Sequence, residues 1–407
     1  MKYVVILGDG MADYPIPQLN NKTPLQFAHK PHIDYLAQHG EAGLVQTIPE
    51  GIPPGSDTAN LSVMGYNPRI YYTGRSPLEA VSMGIELSES DVAIRCNLVT
   101  LSDEENYADK TMLDYSADEI SSEEARVLIA EVNRHFKTAS FSYYPGVSYR
   151  HCLIWDKGPI NLNLVPPHDI LDRKISEYLP KGEHNQLLLE MMTESNKFLQ
   201  EHPVNKERVK RGLRPANSIW LWGEGKKPAL TSFYDKYRLC GSVVSAVDLI
   251  KGIGICAGLR SIEVEGATGN ISTNFRGKAE AVLKELAAGQ DFVYLHIEAP
   301  DECGHRAEIE NKVKAIELID EQVVATLREG MEKYPDYKLL LLPDHPTPIS
   351  LRTHTSEPVP FVIYQKSSPR ESGLTGYDEA QAQETGLFIQ DGYTLMDYFL
   401  KPIKNID

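Results

Sequence analysis

The sequence has no Gly-xxxx-Gly-Lys-Ser/Thr phosphate loop, and no Gly-x-Gly-x-x-Gly follows its first apolar run. The first absence leaves a standard nucleoside-triphosphate site unsupported, and the second disfavours a dinucleotide-dependent dehydrogenase. Cysteine is scarce. Cys96, Cys152, Cys240, Cys256 and Cys303 are odd in number and scattered, with no Cys-x-x-Cys pair. They read as reduced thiols, neither a disulfide framework nor a thiolate metal site. Basic residues are in deficit: 41 Lys and Arg stand against 57 Asp and Glu, a formal net charge of -16. That balance argues against a nucleic-acid backbone or an anionic membrane as main partner, while leaving small anionic substrates open. Long hydrophobic runs are also missing. Tyr3–Leu7 is too short for a signal-peptide core, and Ser242–Leu259 is interrupted by Asp248 and Lys251. Neither reads as a targeting or membrane-spanning segment, so the cytoplasm is the expected location.

A chain of 407 residues exceeds what one hydrophobic core usually serves, so two domains are expected. Tyr3–Leu7 is continuous, β-branched and followed by glycine, the pattern of a fully buried strand. Phe292–Ile297, Lys338–Leu342 and Phe361–Tyr364 share that character. Val313, Ile316, Ile319, Val323 and Leu327 fall on one face of a helix expected over 311–329, and a second helix is expected over 277–288. Buried strands alternating with amphipathic helices predict an α/β fold with a mostly parallel sheet covered on both faces. The middle of the chain differs. Strand candidates Val92–Leu101, Ser140–Tyr144 and His151–Trp155 surround a helix beginning at Ser121, where Glu124 completes the spacing of a capping box. The boundaries that follow are 1–74 and 241–407 for an α/β domain, and 75–240 for an inserted α+β domain.

Acidic and imidazole residues gather just after the strands. Asp9 follows the first, Asp301 and His305 follow Phe292–Ile297, Asp344 and His345 follow Lys338–Leu342, and His354 comes slightly later. A single strand-terminal Asp is more often a turn residue. Ligands of open α/β sheets, however, bind beyond the carboxyl ends of strands, so these six side chains should converge. Mixed carboxylate and imidazole ligands suit manganese, zinc or magnesium. The loop Gly51–Gly55 places Ser56 at a helix N-terminus, where backbone N–H groups and the helix dipole favour a phosphate, although helix capping accounts for the same pattern. A serine hydroxyl needs a base or a metal to become a nucleophile. No Gly-x-Ser-x-Gly elbow surrounds Ser56, which favours metal activation.

With these residues in view, the chain resembles the alkaline phosphatase superfamily, and within it the cofactor-independent phosphoglycerate mutases of the archaeal type and their bacterial relatives. Gly8–Gly10, Lys22–Leu25, Pro54–Ala59, Gly65–Pro68, Gly74–Ala80, Arg95–Asn97, Tyr149–His151, Trp220–Gly223 and Asp344–Pro348 carry the resemblance in the family's order. It implies two divalent metal ions. One would take Asp301, His305 and His354; the other Asp9, Ser56, Asp344 and His345, with Ser56 phosphorylated in turnover. It also implies that the insert closes over a small phosphorylated metabolite, phosphoglycerate, with Arg75, Arg95 and Arg150 clamping its anionic groups and His151 moving protons. Lys278 and Lys227 are candidates for the lysine that longer bacterial mutases place near the nucleophile. The implied activity interconverts 3-phosphoglycerate and 2-phosphoglycerate. The alternative is a related metal-dependent phosphotransferase, homoserine kinase-like, or a phosphomonoesterase.

Overall fold

In the computed structural model, which describes residues 1–401, the apolar run at the N-terminus is a central strand. Strands β1 (Lys2–Gly8) and β2 (Glu41–Val45) open the chain. Strands β3 (Val92–Leu101), β4 (Met112–Asp114), β5 (Phe141–Tyr144), β6 (Arg150–Trp155) and β7 (Ser218–Lys226) follow. Strands β8 (Gly241–Val244), β9 (Arg260–Ile262), β10 (Phe292–Ile297), β11 (Tyr337–Leu342), β12 (Val359–Gln365) and β13 (Phe388–Ile389) complete the set. Two compact units result: Met1–Tyr72 together with the chain from Ala229 onward, and Thr73–Pro228.

The first unit holds an eight-stranded sheet in the order β13-β2-β12-β11-β1-β10-β8-β9. The expected mostly parallel arrangement is present, and β12 alone runs against its neighbours β11 and β2. β1 lies between β10 and β11, parallel to both, with Leu7 beside His296 on one side and Leu342 on the other. Val4–Leu7, Phe292–Leu295 and Leu339–Leu342 are fully buried, as strands covered on both faces require. Because β12 returns antiparallel, the loop from β11 to β12 never leaves the carboxyl edge of the sheet. That loop carries Asp344, His345 and His354.

The helix expected over 311–329 is three segments, an α-helix Ile309–Leu318, a π-helical stretch Ile319–Val324 and an α-helix Ala325–Met331. Buried Asp320 lies in the π-helical stretch and accepts the N–H of Ile33 at 2.6 Å. It thereby caps the helix Pro31–Gln38, whose own N-cap Lys30 makes no side-chain capping bond. The helix expected over 277–288 spans Phe275–Ala287, capped by Asn274. Residues 229–240, assigned from sequence to the insert, pack in the first unit: Tyr66 Oη donates to Thr231 O at 2.8 Å, and Phe233 stacks on Phe292.

In the second unit β3 pairs antiparallel with β4, β6 and β7, and β5 with β6. The helix Ser122–Phe136 turns Ala125, Leu128, Ile129 and Val132 into its core, which also takes Leu188, Met192 and Leu199 from the helix Gln186–Gln200. Ser121 caps the first helix by accepting Glu124 N–H at 3.2 Å. The reciprocal half of the expected capping box is replaced, because Glu124 is drawn to Arg208 and Arg211. No helix among the described residues is long and apolar enough to cross a membrane.

Candidate metal centre

Three adjacent parallel strands, β11, β1 and β10, end at one edge, and each delivers a carboxylate within a few residues. Asp9 follows β1, Asp344 follows β11, and Asp301 sits on the short helix Ala299–His305 after β10. All three are buried, at 2%, 0% and 5% exposure, although isolated carboxylates are almost never buried. Gly10 makes the approach possible. Its φ is +62°, and a Cβ there would stand 2.8 Å from Asp301 Oδ1 and 2.6 Å from Thr347 Oγ1. Its N–H donates to Asp344 Oδ1 at 3.2 Å.

Imidazoles complete the cluster. Asp301, His305 and His354 bring ligand-competent atoms within 4.8 Å of one another, as do Asp9, Asp301 and His345, and as do Asp9, His296 and Asp344. Tautomers follow from the partners. Thr347 Oγ1 lies 2.5 Å from Asp301 Oδ1 and 3.2 Å from His345 Nδ1. An ionised carboxylate only accepts, so the hydroxyl donates to Asp301 and Nδ1–H of His345 donates to the hydroxyl. Burial holds His345 below the usual imidazole range, so its Nε2 carries a lone pair. That lone pair faces Ser56 Oγ at 3.1 Å, Asp344 Oδ2 at 3.4 Å and Asp9 Oδ1 at 3.5 Å. His305 Nδ1 donates to Arg352 O at 3.0 Å, which turns its Nε2 toward His354 Nε2 (2.9 Å) and Asp301 Oδ2 (3.2 Å).

This geometry fits cations. Asp9 is pushed well above the usual carboxylate range by burial and then by the neighbouring Asp344 and Asp301. Its Oδ1 is buried with no hydrogen-bond partner among the described residues. Burial would raise Asp301 as well, but hydrogen bonds from His305 and His354 hold it well below its ordinary value. His305 is raised to about 9, chiefly by its hydrogen bond to Asp301. The close approach of His305 to Asp301 leaves a carboxylate and imidazoles able to receive a divalent ion, and a backbone carbonyl on the far nitrogen of an imidazole is a usual outer support of such sites.

Ser56 opens the helix Ser56–Val63 at this edge, with Gly55 as N-cap. Asp57 does not join the cluster, because its carboxylate accepts from Thr58 N and Tyr72 Oη. Of the two lysine candidates, Lys227 belongs to the second unit and Lys278 to the first, where, among the described residues, Lys278 makes no bond to Ser56. Lys278 is buried, lowered to about 8 by desolvation, and faces His296 O at 3.5 Å.

Three of the four substrate candidates lie close together in the second unit. Arg75 Nε and Arg95 Nε bond to the two oxygens of Glu79 at 2.7 and 2.9 Å. Arg95 also stacks over Trp222 at 4.2 Å, and burial lowers it to about 10. Arg150 lies over the ring of Tyr149, itself 5.8 Å from Tyr115. His151 is separate from them. Strand alternation turns it inward at 4% exposure, its Nδ1 accepts from Gly146 N, and its Nε2 is buried without a partner among the described residues. Desolvation lowers it to about 3, so it remains neutral and is not placed to exchange protons with a ligand.

Sequence reasoning missed His296, Thr347 and Lys312. His296 lies within an apolar strand, where its parity with Tyr294 gave no sign of facing Asp9, whose Oδ2 it meets at 2.9 Å. Desolvation takes His296 to about 3, so a neutral imidazole donates there while its Nδ1 accepts from Ser245 Oγ. Lys312, fully buried, donates to Asp13 Oδ2 at 2.7 Å and Thr347 O at 2.8 Å, tying together two of the loops that carry candidate ligands.

Known proteins share this chain's sequence and fold. The sequence pattern of the 2,3-bisphosphoglycerate-independent phosphoglycerate mutases matches residues 37–205. A probable 2,3-bisphosphoglycerate-independent phosphoglycerate mutase of Geobacter sulfurreducens is 52% identical over 98% of this chain and all of its own length. The enzyme of that name in Methanosarcina barkeri is 47% identical over 98% of this chain and all of its own. Among solved structures, the cofactor-independent phosphoglycerate mutase of Thermoplasma acidophilum is similar with a TM-score of 0.67 and 26% identity, covering 98% of this chain and 99% of that one.

Proposed function

This chain belongs to the 2,3-bisphosphoglycerate-independent phosphoglycerate mutase family, and on that premise we propose that it interconverts 3-phosphoglycerate and 2-phosphoglycerate through phosphorylation of Ser56. The observation that carries the proposal is the position of Ser56 Oγ, 3.1 Å from His345 Nε2 at the rim of three buried carboxylates. Two divalent cations would be held by Asp301, His305 and His354 on one side and by Asp9, Asp344, His345 and Ser56 on the other. When bound, they would neutralise charge on phosphoryl oxygens and lower the pKa of the serine hydroxyl.

Ser56 Oγ attacks phosphorus and the bond to the substrate's 3-oxygen breaks. The 2-hydroxyl of the retained glycerate then attacks phosphoserine, and the bond to Ser56 Oγ breaks. Each transfer forms one P–O bond and cleaves one, and the proton lost by one hydroxyl is returned to the other. No external donor is consumed. Of the N–H groups at the start of Ser56–Val63, those of Ser56 and Asp57 would donate to phosphoryl oxygens, since the N–H of Thr58 is taken by Asp57 Oδ1. We assign the substrate's anionic groups to Arg75, Arg95 and Arg150, which suit bidentate recognition, and exclusion of water to the second unit. The cytoplasm, where free cysteines persist, is the location assigned.

The test is isomerisation of 3-phosphoglycerate by purified protein with manganese and without bisphosphoglycerate, followed by phosphorus NMR, with mass spectrometry for phosphoserine 56. Interconversion with a labelled Ser56 is expected. Brisk ester hydrolysis without interconversion would overturn the mutase assignment in favour of a phosphomonoesterase.

A further inference from the structure

Asn60 lies one turn after Ser56 on the same helix and is fully buried. Its Nδ2 donates to Ser56 O at 2.8 Å and to Asp344 Oδ2 at 2.9 Å. Its Oδ1 accepts from Tyr294 Oη at 2.7 Å. Both amide hydrogens are thus used, on two different elements of the candidate centre.

The direction of the amide is not arbitrary. A phenol is protonated at neutral pH, and its hydrogen needs an acceptor in this dry surrounding. Tyr294, fully buried on β10, therefore demands that Oδ1 face it. The N–H groups must then face Ser56 and Asp344. The opposite orientation would set an amide oxygen against a carboxylate oxygen. Asp344 is held on its other oxygen by backbone N–H groups, Gly10 at 3.2 Å and His345 at 2.9 Å. Among the described residues, Asn60 supplies the one side-chain bond between the helix of Ser56 and that carboxylate.

We propose that Asn60, its amide oriented by Tyr294, is a positioning residue that sets the separation of Ser56 from Asp344. The inference rests on the assignment of Ser56 as nucleophile and Asp344 as metal ligand. It assigns Asn60 no contact with substrate. Its work is to hold the first turn of a helix and the end of β11 in one register.

Two single variants, a double-variant comparison with Asn60→Leu and a control test it. Tyr294→Phe removes one hydroxyl and leaves the ring packing, so it separates amide orientation from folding. Asn60→Asp keeps the shape and places an oxygen against Asp344. Each should lower kcat by about 10- to 100-fold with KM within about twofold, the range seen for groups that orient metal ligands. In metal-free Asn60→Asp protein, manganese affinity measured by calorimetry should fall by about tenfold or more. Tyr294→Phe should add little to the kcat loss of Asn60→Leu, because both act through one amide. Ser56→Ala serves as the control. If it is inactive while Tyr294→Phe and Asn60→Asp keep kcat and manganese affinity within about twofold of wild type, the positioning role is overturned and the nucleophile stands. An active Ser56→Ala protein would overturn the nucleophile, and this inference with it.

Discussion

Ser56 Oγ and His345 Nε2 lie 3.1 Å apart, and the lone pair that faces the serine is set from behind by Thr347. Thr347 is a two-way tie. Its hydroxyl gives its hydrogen to Asp301 and takes one from His345, so one side chain orients a ligand in each half of the candidate centre.

Thr347→Val keeps the shape and deletes that tie. Manganese affinity should fall by about 10- to 100-fold, as for other outer-shell losses. Stability should drop by about 1–3 kcal/mol, because the buried His345 Nδ1–H loses its acceptor. Calorimetric metal titration and denaturant unfolding would measure the two effects separately. Unchanged metal affinity would mean that His345 finds its orientation elsewhere.

Removing divalent ions should destabilise the first unit. Asp9, Asp301 and Asp344 are buried together, and a cation is the natural partner for their charge. At metal concentrations about a thousandfold above Kd, bound ion contributes about 4 kcal/mol per site. Chelator should therefore lower Tm by several degrees, and manganese should restore it. Identical melting curves with and without chelator would count against a metal centre.

Glu379 accepts from Thr23 Oγ1 at 2.7 Å and Asp13 N at 3.2 Å, and burial raises it to about 7. A carboxylate raised on folding binds more protons folded than unfolded between its two pKa values. Stability then falls as pH rises through that interval, by at most about 1.4 kcal/mol per pH unit, and levels off above it. Measured from pH 5 to 8, Glu379→Gln should gain on wild type up to about pH 7 and hold a constant difference beyond. A difference independent of pH would show that Glu379 is already ionised throughout.

Arg95→Met should act on binding. Glu79 keeps its bond to Arg75, which limits the structural loss. A lost charge-assisted hydrogen bond of about 1.5–3 kcal/mol corresponds to a rise in KM of about 10- to 150-fold. Arg95→Lys should recover little of it, since a lysine neither stacks over Trp222 in the same way nor offers a planar fork. Steady-state kinetics would decide, and a loss confined to kcat would move Arg95 out of the binding role.

Period and chemistry along the chain were enough to place β1, β10 and β11. Unbroken apolar runs have few ways to be buried, and a carboxylate just past each must emerge at a strand end. For that reason Asp9, Asp301 and Asp344 could be singled out with His305, His345 and His354 before any coordinates. Local patterns carry no information about partners far away in the chain. The bond from His296 to Asp9 spans β10 and β1, the bonds of Asn60 join a helix turn to β10 and β11, and Lys312 ties loops hundreds of residues apart. His151 shows the converse: its neighbour Arg150 is exposed, and only the pairing of β6 with β3 and β5 determines that the imidazole faces the core. Which side chains end strands is a property of sequence, whereas which way an amide or imidazole turns depends on the groups that folding packs against it.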